Sequence, residues 1–72
     1  MEDIIIKGEY ITLGQLIKMS GISQTGGQAK FIVMDGRVKV NGQIARQRGK
    51  KLFPGDVVEI DGEESIRVSP TE

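Results

Sequence analysis

The chain is predicted to form a single α+β domain in which two short antiparallel helices pack on a small, mainly antiparallel β-sheet. Three observations predict it. Two helix-start signals, Thr12-Leu13-Gly14-Gln15 and Thr25-Gly26-Gly27-Gln28, each open an apolar stripe at helical spacing. After Gly36 the pattern changes to strand-like alternation, punctuated by the turn pairs Asn41-Gly42, Pro54-Gly55 and Asp61-Gly62. A length of 72 residues suits one domain, residues 1–72. A domain this small buries only about 60% of the surface its unfolded chain exposes, which leaves little room for a deep pocket.

The elements follow in order. Ile4 to Lys7 is a β-branched run that opens the chain as a strand. In the first capping box the Thr12 hydroxyl accepts from the amide three residues on, and Gln15 reaches back to the cap. Leu13, Leu16 and Ile17 then share one stripe, and Gly21-Ile22 gives the left-handed stop with its apolar latch. The second box starts a helix whose buried stripe is Ala29, Ile32 and Val33 and whose end is Gly36. In Arg37-Val38-Lys39-Val40 the period of two sends the valines to the core and the cations to solvent. Asn41-Gly42 suits a two-residue turn of the I′ kind, with Gln43 to Ala45 returning as the partner strand. Arg46 to Lys51 holds no apolar residue and is expected to be a basic loop. Pro54-Gly55 fits a type II turn, Val57 to Ile60 resumes as a strand, and Asp61-Gly62 closes a last hairpin with Ile66 to Val68. A frayed Ser-Pro-Thr-Glu tail is expected after that.

Composition narrows the function. The chain has no cysteine and no histidine, so thiolate metal sites, disulfides and the usual proton-transfer residue near neutral pH are absent. Without a long apolar run or signal peptide, a soluble cytoplasmic protein is the expectation. The net charge of zero conceals an asymmetry. Between residues 18 and 51, eight cations face only Asp35, for a local charge of +7; residues 1–17 carry −2 and residues 52–72 carry −5. A basic middle between acidic edges is the distribution expected of a surface built for a polyanion.

Two features carry that reading. At the start of the second helix, Thr25, Gly26, Gly27 and Gln28 offer helix amides that a phosphate oxygen can approach, and Lys30 adds a cation one turn on. The bland alternative is that the glycines simply allow a tight turn between helices. The other feature is Arg37 and Lys39 on the outward face of a strand, close in sequence to Arg46, Arg48, Lys50 and Lys51, so that strand and loop could hold a phosphate backbone by two grips. Tyr10, Phe31 and Phe53 are too few for a base-stacking platform, and Phe31 is expected in the core.

The span Thr12 to Ile60 resembles the S-four RNA-binding domain. The resemblance is carried by Leu13, Gly21-Ile22, Gln28-Ala29-Lys30 with Ile32-Val33, Gly36-x-Val38-x-Val40-Asn41-Gly42 and Pro54-Gly55-Asp56-Val57-Val58-x-Ile60. It implies that the two helices and the hairpin form a surface for structured RNA, ribosomal or transfer RNA or a ribosome-associated particle, with no cofactor and no catalysis. Thr25 to Lys30 is similar to the small stand-alone members. Where the family commonly has Arg-Leu-Asp this chain has Thr12-Leu13-Gly14, and Gly26 stands where a basic residue is common. Two other classes compete. An adaptor would use the acidic C-terminal edge to bind a protein. A ubiquitin-like carrier shares the V-x-V-N-G pattern, but it needs a terminal Gly-Gly where this chain ends Ser69-Pro70-Thr71-Glu72.

Overall fold

A computed structural model describes residues 2–22 and 26–71. In chain order the elements are β1 (Glu2–Ile6), β2 (Ile11–Thr12), α1 (Leu13–Met19), α2 (Gly26–Met34), β3 (Val38–Val40), β4 (Gln43–Ile44), β5 (Lys51–Leu52), β6 (Val57–Ile60) and β7 (Glu64–Pro70). Five strands form one sheet in the order β1-β7-β6-β3-β4, and β2 and β5 form a separate antiparallel pair. Within the larger sheet only β1 and β7 run parallel.

The alternation along each strand decides which face is buried. Val38 and Val40, Val58 and Ile60, Ile66 and Val68, and Ile4 and Ile6 all point to one side. There they meet Leu13, Leu16 and Ile17 of α1 and Ala29, Ile32 and Val33 of α2 in a single cluster. Every described residue of this buried cluster is aliphatic. The opposite face of the sheet carries Asp3, Lys39, Glu59, Arg67 and Ser69 together with the exposed Ile5 and Ile44.

The turns form as the residues require. Asn41 and Gly42 take φ values of 52° and 86°, the left-handed pair that suits the twist of a hairpin. The Asp56 amide donates to the Phe53 carbonyl at 3.0 Å across Pro54-Gly55. Asp56 supports that turn a second time through its carboxylate, which accepts from the Phe53 amide at 2.8 Å. The same carboxylate accepts from the Asn41 side-chain amide at 3.0 Å, while the Asn41 oxygen accepts from the Val57 amide at 2.9 Å. The two motif pieces that carry the family resemblance, N-G and P-G-D-V, are therefore two halves of one hydrogen-bonded lock.

Three expectations are corrected. Ser69 and Pro70 do not fray: they end β7 and pair in parallel with Ile5 and Ile6 of β1, and the Thr71 hydroxyl donates to the Ile6 carbonyl. The partner strand lies at the other end of the chain, where local periodicity cannot register it. Lys51 belongs to a strand and not to the loop, because Thr12 and Lys51 pair across β2 and β5. Phe31 is 69% exposed, since the aliphatic stripe beside it already fills the contact between α2 and the sheet.

Two ion pairs brace the outer face of the sheet. Arg37 grips Asp61 with two nitrogens at 2.7 and 2.6 Å, and Arg67 reaches Asp3 at 2.9 Å. Both pairs are solvent-accessible, so each stabilises only modestly. The hydrogen bonds from Arg37 and Arg67 hold the Asp61 and Asp3 carboxyls below their ordinary value of 3.8. Carboxyls depressed in the folded state stabilise it above the unfolded pKa, and that contribution is lost as pH falls through the folded value. In thermal melts the wild type should therefore exceed an Asp3→Asn, Asp61→Asn double variant above about pH 5, with the gap closing at lower pH. A gap that persists undiminished at about pH 2 would refute the assignment.

Candidate nucleic-acid interface

The candidate interface is built around the N-terminus of α1. Thr12 caps it as the sequence predicts: its hydroxyl accepts from the Gln15 amide at 3.3 Å, and its own amide donates to Gln15 Oε1 at 3.0 Å. The two remaining first-turn amides find partners in the basic segment. Leu13 donates to the Lys50 carbonyl and Gly14 to the Arg48 carbonyl, each at 2.9 Å. The positive end of the helix thus draws loop carbonyls onto itself, which holds a run of cations against α1. A further turn within the loop, Lys50 amide to Gln47 carbonyl at 3.2 Å, fixes its shape.

Between loop and helices lies an open groove of about 330 Å³, lined by Thr12, Gly14, Gln15, Lys18, Ala29, Arg48 and Gly49. Lys18 and Arg48 stand on its walls. Gly14 lies against the Arg48 stem, where a Cβ would make an ordinary van der Waals contact at 3.5 Å from Arg48 Cβ.

The structure divides the predicted site residues into groups. Arg48 lines the groove, and Lys50 is exposed on the same loop. Gly26, Gly27 and Gln28 form the first turn of α2, immediately before Ala29 on the groove wall, and Lys30 is exposed just after it. Thr25 lies outside the described residues. Arg46 is engaged elsewhere, where its guanidinium donates to the Met34 carbonyl at 3.2 Å, at the electronegative end of α2. It can do so because Gly36, at φ 72°, has no Cβ; one placed there would stand 3.1 Å from the nearest guanidinium nitrogen.

Arg37 and Lys39 lie apart from the groove. Arg37 is held by Asp61, and Lys39 sits between inward-facing Val38 and Val40, so it projects from the sheet face turned away from the helices. Neither residue lines the groove, while Arg46, the first cation of the loop, lies against Gly36 beside Arg37. The Lys51 ammonium lies 4.9 Å from the centroid of the Tyr10 ring. Lys18, not among the residues expected at the site, also lines the groove. Its signal was available, because Gly14, Gln15 and Lys18 recur on the polar side of α1, opposite Leu13, Leu16 and Ile17.

Among the described residues, no helix is long and apolar enough to cross a membrane. A family model for the S4 domain matches residues 4–69, which takes in most of β1 and of β7 as well as the span of the sequence resemblance. The chain is 46% identical over 65 residues to a Bacillus subtilis protein named as a probable ribosome maturation protein, RlbA, covering 90% of this chain and 92% of that one. It superposes on the solution structure of YbcJ from Escherichia coli with a TM-score of 0.73 at 31% identity, covering 96% of this chain and 87% of that one; that structure is described as revealing a motif involved in RNA-binding. It is also 34% identical over 53 residues to an RNA pseudouridine synthase of Aquifex aeolicus, covering 72% of this chain but only 21% of the synthase.

Proposed function

This chain belongs to the S4 domain family, and from that premise we propose that it is a non-enzymatic module that binds structured RNA through the groove between α1, α2 and the basic loop. The observation that carries the reading is the convergence on that groove of Lys18 from α1 and Arg48 from a loop fixed by two amides of α1. Cations held on a rigid frame suit the phosphates of a folded helix or junction, whose spacing is itself fixed. The first turn of α2, with Gly26 and Gly27, and the exposed Lys30 extend the same surface. The exposed Lys50 flanks it.

The acidic side chains support a binding role more than a catalytic one. Asp56 is committed to the turn lock, and Asp3 and Asp61 to ion pairs with Arg67 and Arg37. In the synthase relative the matching region is a minor part of the enzyme, as an RNA-holding module would be. Between ribosomal and transfer RNA, the similarity to a protein named for ribosome maturation favours ribosomal RNA. Arg37 and Arg46 then serve as framework, and Lys39 lies off the main contact.

The salt response tests the mechanism. With about four phosphates neutralised, affinity for a ribosomal helix-junction fragment should fall roughly 150-fold between 50 and 200 mM salt. Exchanging base pairs without altering the RNA fold should change little. An affinity nearly independent of salt would refute phosphate recognition and return the adaptor reading to first place.

A further inference from the structure

All three aromatic side chains lie at the surface: Tyr10 is 41% exposed, Phe53 48% and Phe31 69%. Two of them are not scattered. Tyr10, at the entrance to β2, and Phe53, at the exit from β5, stand with ring centroids 5.9 Å apart and planes tilted by 50°. The Lys51 ammonium lies 4.9 Å from the Tyr10 centroid, inside the range of about 6 Å for a cation–π contact. The core is filled by aliphatic side chains without them. Their position is imposed by the small β2–β5 sheet, whose pairing of Ile11 with Leu52 and Thr12 with Lys51 brings the flanking rings together.

This cluster adjoins the groove. Thr12 lines the groove and is the strand partner of Lys51, while Tyr10 is two residues earlier, about 7 Å along an extended chain. We infer that the Tyr10–Phe53 pair is a stacking site for one unpaired RNA base next to the groove, with Lys51 placed to meet the phosphate of that nucleotide. The inference rests on the RNA-binding reading and deepens it. A ring half in water presents a π-face that any base can cover; the Lys51 ammonium lies over one face of Tyr10, so the base takes a face of the pair that it leaves open, with the cation next to its backbone. The expected ligand is thus a helix with an unpaired nucleotide at its edge, in preference to a blunt duplex.

The chain has one tyrosine and no tryptophan, so its intrinsic emission reports on this site alone. The probes are an RNA hairpin with an unpaired 3′ extension and the same hairpin blunt-ended, each end-labelled so that anisotropy reports binding independently of the tyrosine. The extended hairpin should bind tighter by roughly 5- to 150-fold, the equivalent of one base stack, and should quench the Tyr10 emission. Phe53→Leu should abolish the preference, and Tyr10→Phe, which keeps the ring, should retain it. Equal affinity for the two hairpins, or unchanged emission at saturation, overturns the stacking site while leaving RNA binding standing. If neither hairpin binds, the RNA reading falls and this inference with it. Should Phe53→Leu fail to fold, the wild-type comparison of the two hairpins and of the emission still decides.

Discussion

Replacing Lys18, Arg48 and Lys50 together by glutamine should weaken binding of a structured RNA on the order of a hundredfold, at roughly 1 kcal/mol per lost phosphate contact. The slope of log affinity against log salt should shrink by about one for each cation removed. Stability should stay within about 1 kcal/mol, because what pins the loop is backbone: the Arg48 and Lys50 carbonyls that accept from Gly14 and Leu13 survive the substitutions. Part of the small expected loss comes from Lys18, whose charge lies in the last turn of α1 and favours the negative end of the helix. Arg46 is left intact on purpose. Its guanidinium holds the Met34 carbonyl, so including it would confuse loss of binding with loss of structure. Unchanged affinity would remove the groove from the interface. Lost affinity with a collapsed melting transition would show that these side chains hold the fold.

The second large effect is on stability alone. Asn41→Ala should destabilise the protein by about 2 kcal/mol, from two hydrogen bonds at roughly 0.5 to 1.5 kcal/mol each and the cost of placing alanine in the left-handed region. Asn41 sits at φ 52°, which asparagine tolerates and alanine resists. Its side chain joins the tip of the β3–β4 hairpin to the turn before β6 through Asp56 and the Val57 amide. For a domain this small the melting temperature should fall by roughly 8–16 °C. RNA affinity measured well below the transition should be retained, because Asn41 lies outside the groove. Asn41→Gly separates the two causes, since glycine accepts the backbone angle but cannot make the hydrogen bonds. A melting temperature unchanged in both variants would show that the lock contributes nothing.

By itself the sequence determined what short-range physics can encode. The Thr12 capping box, the stripes Leu13-Leu16-Ile17 and Ala29-Ile32-Val33, the Asn41-Gly42 turn and the alternation at Val38 and Val40 all stand as read. Each depends on neighbours within about four residues, where helix period, pleat and φ preference act directly. The local surplus of positive charge was legible for the same reason. Tertiary structure alone decided which cations come together in space. Arg37 is drawn to Asp61, Arg46 to the end of α2 and Lys39 to the far face of the sheet, while Lys18 and Arg48, thirty positions apart, share one groove. It also decided that Ser69 and Pro70 extend β7, and that Tyr10 and Phe53 meet through the β2–β5 pairing. The physical reason is common to all of these. Strand pairing and ion pairing between distant segments depend on where the whole chain closes, and only the packed core sets that position.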